Sequence, residues 1–216
     1  MKNINLFKLL MALLGIFLIG AGVAFNAATQ LGNDPIGIIY DGVRNALGLT
    51  PGQLGLVSNF VNYGLIALLF FVGRKYVNIG TLIYILPYGF FVNAGNKLYA
   101  AVIQSNDFSS RMVAGIIGCL FIYTGVAIYI SMDMGLDPFT GIVMVIRDKI
   151  KLDFKKTKIC FDIIMVIFGV ILGGKLGIIT VFTALTAGPS IQFISNKITG
   201  LMKLYENRKM SPGKLS

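Results

Sequence analysis

Histidine is absent from the 216 residues, and glutamate occurs once, as Glu206. Hydrolytic and metal-dependent enzymes need clustered ligands and a general base, typically His together with Asp or Glu. Neither can be assembled from this chain, so an enzyme is not expected, and neither is a bound metal or cofactor. Charge is also scarce, at 13% of residues against 56% hydrophobic, with a mean hydropathy of +0.79. A soluble domain of this size cannot hide so much apolar surface, which makes this a membrane protein. The two cysteines, Cys119 and Cys160, lie inside apolar runs, where a small buried hydrophobe is expected over a disulfide or a metal ligand. A phosphate-binding loop is missing too. Gly169, Gly174 and Lys175 have its spacing, but Leu176 stands where a magnesium-binding Ser or Thr belongs, and the stretch ends an apolar helix. The net charge of +10 sits on Lys and Arg placed between apolar runs and in the tail. It forms no basic face to read a groove, so nucleic acid is not expected as a partner, and the positive-inside bias of membrane proteins accounts for it.

What the chain does have is a repeat. Leu31-Gly32-Asn33-Asp34-Pro35-Ile36-Gly37-Ile38-Ile39 returns as Met134-Gly135-Leu136-Asp137-Pro138-Phe139-Thr140-Gly141-Ile142, with Asp137 lying 103 positions beyond Asp34. The same offset pairs Gly15 with Gly118, Gly22 with Gly125, Arg44 with Arg147 and Asn59 with Asp162. An offset of 99 pairs Thr81 with Thr180, Gly89 with Gly188 and Asn93 with Gln192. Two copies of one unit are therefore expected, residues 1–104 and 111–203, followed by a basic tail, 204–216.

Residues 6–28 read as a retained membrane span and not a cleaved leader, because their repeat partner, 112–132, is internal. Asp is a good helix N-cap and Pro is tolerated at the first helical position, so a short helix should open at Pro35 and another at Pro138. About a dozen residues reach roughly 18 Å, short of the bilayer core of about 30 Å. These helices should be re-entrant or interfacial. Residues 53–73 and 159–173 form a further pair of spans. Residues 77–103 and 176–202 form the last pair, each expected to break, at Pro87-Tyr88-Gly89 and at Gly188-Pro189. The predicted fold is an all-α polytopic membrane protein: six transmembrane helices in two three-helix repeats, each with one extra short helix after its Gly-x-Asp-Pro turn.

Three spans per unit is an odd number, so the second unit should enter the membrane inverted. Charge agrees. With the N-terminus inside, Lys2, Lys8, Arg74, Lys75, Arg147, Lys149, Lys151, Lys155, Lys156, Lys158, Lys203, Arg208, Lys209 and Lys214 fall on the cytoplasmic side, and chiefly Arg44, Arg111 and Lys175 outside. Both termini come out cytoplasmic, in the bacterial cytoplasmic membrane.

Gly-x-Asp-Pro opening a short helix, followed by Gly48-Leu49-Thr50-Pro51-Gly52, resembles the YczE/YyaS/YitT group of bacterial membrane proteins. The resemblance implies the six-span fold, the cytoplasmic membrane and a transporter-like architecture, and it brings no catalytic residues. The second unit departs from the pattern, with Lys151-Leu152-Asp153-Phe154-Lys155 where the first has its Gly-Leu-Thr-Pro-Gly turn.

Inverted three-span units point to a carrier whose solute sits near the midplane, touched by discontinuous helices. The candidate substrate-binding residues are Asp34, Asp137, Asn59, Asp162, Asn93 and Gln192. Each has a structural alternative. Asp34 and Asp137 also serve as helix caps. Asp162 can pair with Lys158 one turn earlier. Asn93 and Gln192 suit hydrogen bonds between helices. An ionised Asp at the bilayer centre costs about 2.5–3.5 kcal/mol, which directs such residues to a bundle interior or cavity. An acidic cavity favours a cation, a proton-coupled solute or a zwitterion over a simple anion. The expected function is transport of a small polar solute or cation. The alternative is a regulatory or assembly subunit acting through the basic 147–158 loop, on a membrane partner or a second copy of itself. In either case the lipid bilayer is a partner, and the glycines of the spans are expected to serve close helix packing.

Overall fold

The computed structural model describes residues 6–105, 107–152 and 154–210, without the side chains of 154, 155 and 203–210. Lys2, Asp153, Lys214 and the side chains of Phe154, Lys155, Lys203, Glu206, Arg208 and Lys209, all named above, lie outside the described residues. Among the described residues the chain is helical without strands. In order come α1 Leu6–Thr29, α2 Pro35–Ala46, α3 Leu54–Val72, α4 Ile79–Val102, α5 Phe108–Met132, α6 Pro138–Ile150, α7 Phe154–Ile171 and α8 Ile178–Met210, with 3-10 turns at Pro51–Gln53 and Arg74–Tyr76.

The ends of these helices follow from local chemistry. Asp34 accepts hydrogen bonds from the Ile36 and Gly37 N–H groups at 3.3 and 3.2 Å, and Asp137 accepts from the Thr140 N–H at 3.0 Å. Each carboxylate thus satisfies donors that the first turn leaves unpaired, with Pro35 or Pro138 just inside. Upstream, Gln30 and Asp133, again 103 positions apart, both take left-handed backbone conformations, with φ of 56° and 51°. The same device stops α1 and α5 and turns the chain toward its Asp-Pro cap.

Four stretches are long and apolar enough to cross a membrane: Leu6–Thr29, Pro51–Val72, Phe108–Met132 and Ile178–Met202. Helix α4 falls short because Tyr84, Pro87, Tyr88, Asn93 and Asn96 dilute its hydropathy, and α7 because of Lys155, Lys156, Lys158 and Asp162. The expected breaks at Pro87 and Pro189 do not occur: α4 and α8 each run through their proline. A proline removes one hydrogen bond from a helix, and the rest of the ladder holds on both sides of it.

Helices α1 and α5 form the central pair. Gly15 meets the Gly125 backbone and Gly22 meets that of Gly118. The contact moves seven residues forward on one helix and seven back on the other, so the two run antiparallel. Helix α4 packs on α1, and α8 on α5; α7 packs on α2, and α3 on α6. Each of these pairings has its counterpart under the repeat, and three of them cross between the two units. Large apolar side chains such as Phe60, Phe71, Leu86, Phe90, Leu185 and Phe193 face outward, while Asn26, Ser58, Asn62, Thr81 and Thr183 are buried. That polarity, apolar outside and polar within, suits lipid as the surrounding solvent.

The two short helices start inside the bundle. From Thr29 the chain doubles back until the Asn33 side-chain amide donates to the Val23 carbonyl at 3.0 Å. Val23 lies six residues up α1, so Asn33 sits about 9 Å in from the end of that helix. Helix α2 then runs back to the end it came from. There Asn45 donates to the Gly173 carbonyl at 2.6 Å, the Lys175 N–H to Asp41 at 3.4 Å, and Arg44 pairs with Asp41 at 2.7 Å. Arg111 reaches the Thr29 carbonyl at the same end. Helix α6 runs to the opposite end, where Asp148 pairs with Lys75 at 2.5 Å and Arg147 at 2.7 Å.

The turns that precede the short helices are held crosswise. Gly32, at φ 103°, lies against the Gly177 backbone and Thr180 at the start of α8, and its left-handed conformation excludes a side chain. Gly135 lies against Gly80 and Asn78 at the start of α4. Each unit thus supports the other's Asp-Pro turn.

Candidate functional site

Helices α2 and α6 approach each other through aromatic side chains, from the middle of α2 to the start of α6. The ring of Tyr40 on α2 lies edge-on to Phe139, the second residue of α6, at 5.8 Å, and Phe139 contacts Phe161 of α7 at 6.3 Å. Helix α4 adds Tyr84 and Tyr88, stacked at 5.1 Å. Tyr88 contacts Tyr40 at 5.9 Å, and Tyr84 contacts Tyr129 of α5 at 5.2 Å. Five helices thereby enclose one aromatic cluster.

The carboxylates border this cluster. Asp34 and Asp137 both act electrostatically on Tyr40, Tyr84 and Tyr88. Asp34 is also within electrostatic reach of Lys158 and Asp162, and Asp162 within that of Asp137. Lys158 and Asp162 form the ion pair that their four-residue spacing predicts, with about three-tenths of each side chain exposed. Asp162 is thus within electrostatic range of both Asp34 and Asp137, and Lys158 is the one cation bonded to any of the three among the described residues.

Each short helix has positive partial charge at its N-terminus, and its capping aspartate offsets it. Three carboxylates against one lysine leave a site that is negative overall and fringed by hydroxyls. Hydrogen-bond capacity is also left over. Tyr40 donates to the Asn62 side-chain oxygen at 3.1 Å, while the fully buried Asn62 NH2 has no partner. Buried polar groups are seldom left unpaired, and an orphan donor beside a tyrosine cluster is where a polar ligand group would bind.

The remaining candidates lie elsewhere. Asn59 accepts from the Gly89 N–H at 2.8 Å and Asn93 from the Gly55 N–H at 3.2 Å, so both join α3 to α4. Gln192 is exposed on α8. A cavity of about 390 Å³ is an apolar groove lined by Leu47, Leu49, Leu56, Val57, Asn59, Phe60 and Tyr63. It is not the carboxylate cluster, whose helices pack closely. Reasoning from the sequence passed over Tyr40, Tyr84, Tyr129 and Asn62, because tyrosines in apolar stretches resemble core. One signal was available: Tyr84 and Tyr88 are four apart on one helix and flank Pro87.

The comparisons agree with this membrane architecture. Residues 6–196 match the family of unknown function DUF6198. The chain is 25% identical over 189 residues to an uncharacterized protein of Haemophilus influenzae, covering 88% of this chain and 84% of that one. It is 22% identical over 180 residues to the uncharacterized membrane protein YczE of Bacillus subtilis, covering 83% of this chain and 81% of the relative. No solved structure matches it. The chain accordingly belongs to DUF6198, a family of YczE-like membrane proteins.

Proposed function

We infer that the protein is a carrier of a small cationic or zwitterionic solute, with its binding site between two inverted three-span repeats. The observation that supports this reading is the contact of Tyr40 on α2 with Phe139 on α6: the two helices run to opposite ends of the bundle, and the aspartates that cap them, Asp34 and Asp137, both act electrostatically on one tyrosine cluster. Short helices with inward N-termini at the interface of repeats are the arrangement by which secondary transporters grip a solute near the midplane. In this reading the carboxylates hold an ammonium or similar cation, the tyrosine faces add cation–π attraction, and the Asn62 NH2 takes an oxygen of the solute.

Six crossings give this arrangement, with α4 and α7 joining the four strongly apolar stretches. The end carrying Arg74, Lys75, Arg147, Lys149 and Lys151 is then cytoplasmic, together with both termini, and the end carrying Arg44, Arg111 and Lys175 faces outward.

Thermal unfolding of the purified protein against a panel of amines, amino acids and carboxylic acids tests the reading. A cationic or zwitterionic member at 100 times its dissociation constant should add about 2.7 kcal/mol to stability. That gain should vanish in Asp34→Asn, Asp137→Asn and Asp162→Asn. Stabilisation by simple anions alone, or stabilisation that survives all three substitutions, contradicts it.

A further inference from the structure

The repeat gives α3 and α4 counterparts in α7 and α8. Gly55 corresponds to Lys158 and Asn59 to Asp162 at one offset, and Gly89 to Gly188 and Asn93 to Gln192 at the other. In the first unit these residues clamp the two helices together. Asn59 accepts from the Gly89 N–H and Asn93 from the Gly55 N–H. The backbones are so close that a methyl group added to Gly55 would lie 2.1 Å from the Gly89 carbonyl oxygen, and one added to Gly89 would lie 2.2 Å from that of Gly55.

In the second unit the same positions are apart. Asp162 pairs with Lys158 on its own helix, Gly188 has open space around it, and Gln192 is exposed. Helices α7 and α8 make no contact comparable to that of α3 with α4 among the described residues. One polypeptide thus holds the same seam closed in one half and open in the other.

We propose that the α3–α4 and α7–α8 seams are the two gates of the carboxylate site, and that the protein works by exchanging them, one closing as the other opens. In the exchanged state Asp162 turns from Lys158 toward the Gly188 N–H and Gln192 turns toward α7, across a wider seam than α3–α4 because Lys158 has a side chain where Gly55 has none. The part-exposed side chains of Lys158 and Asp162 are then covered. The α3–α4 clamp releases at the same time, because α3 packs on α6 and α7 on α2, so that each seam is braced by the other unit's short helix. Lys158 carries a side chain where Gly55 has none, so the second seam closes less tightly than the first, and exchange requires the two packings to lie close to each other in free energy. The proposal rests on the carrier reading for the site that the gates serve.

Electron-electron spin distances in proteoliposomes test it, with Cys119→Ala and Cys160→Ser as background. One pair of labels replaces Phe60 and Leu86, and the other replaces their repeat counterparts Ile163 and Leu185; all four positions are exposed. Each pair should give a short and a long distance. Adding Asn59→Ala and Asn93→Ala should shift Ile163/Leu185 toward the short distance and Phe60/Leu86 toward the long one. A single distance for each pair overturns the proposal, as does closure of α7–α8 without opening of α3–α4. If the double substitution does not fold, the unsubstituted distributions decide alone. No solute is present, so the two readings fail separately: exchanging seams in a protein that binds no solute refute the carrier, and solute binding with fixed seams refutes the gates.

Discussion

Replacing Gly22 by alanine tests the packing of the central helix pair. The added methyl would lie 2.5 Å from the Gly118 carbonyl oxygen, 2.7 Å from the Ile122 side chain and 2.9 Å from the Ile122 nitrogen. Two of those three atoms are backbone, so relief requires α1 and α5 to move apart along their whole contact. Overpacking of this kind costs about 1–3 kcal/mol, and the steric demand here puts it toward the upper half of that range. Alanine is better than glycine in a helix by up to about 1 kcal/mol, which offsets part of the cost. The net loss is about 1–2 kcal/mol, a 5- to 30-fold fall in the folding equilibrium constant. Gly115→Ala should cost less, because its methyl meets the mobile Cδ1 of Ile179 at 2.6 Å. Gly64→Ala should cost nothing, since nothing lies within 4 Å of the added atom. Titration with SDS in mixed micelles, followed by circular dichroism, gives the three stabilities. The reasoning is refuted if Gly22→Ala is as stable as Gly64→Ala.

Three further predictions concern the caps, the seam and one end of the bundle. Asp34→Ala should lower stability by about 1 kcal/mol through loss of the α2 cap, whereas Asp34→Asn keeps a capping oxygen and should unfold near the parent midpoint in the same titration. Asn93→Ala strands the Gly55 N–H and should cost about 0.6–1.7 kcal/mol, while the exposed Gln192→Ala should be silent in that assay. Bonds from Lys75, Tyr76 and Arg147 hold the Asp148 carboxyl well below its ordinary value. Its contribution is therefore complete above the unfolded-state value of about 3.9 and is lost as the pH falls through the lower folded-state value. Melting curves from neutral pH into this acid range should lose part of their pH dependence in Asp148→Asn; an unchanged profile excludes the three-way contact.

The capped short helices and four of the six expected spans were legible because each rests on local chemistry: Asp-Pro for a helix start, long apolar runs for spans, and Gly15, Gly22, Gly118 and Gly125 for close approach. Gly173 differs from the other span glycines, since it ends α7 at φ 92°. The continuity of α4 and α8 was not legible, because whether Pro87 breaks a helix depends on how well the neighbouring turns are held. Nor was the aromatic cluster, whose members come from five helices and share no spacing. Asn59 and Asp162, or Asn93 and Gln192, show the limit most clearly. Their sequence positions are equivalent, yet one member of each pair bridges two helices and the other does not. That difference belongs to the packing of α7 and α8, where Lys158 stands in place of the Gly55 that lets α3 approach α4.

Side-specific labelling of two single cysteines, Leu47→Cys and Ile150→Cys, in a chain with Cys119→Ala and Cys160→Ser, tests the entry of α2 and α6 from opposite faces. Both positions are exposed at the outer ends of the short helices, at 60% and 51%, whereas Asn33, beside the duplicated Asp, is buried and out of a reagent's reach. A membrane-impermeant thiol reagent should label position 47 in intact cells and position 150 only after the cytoplasmic side is exposed. Labelling of both from the same side would mean that the two units are not inverted, and the carrier account would fall with them.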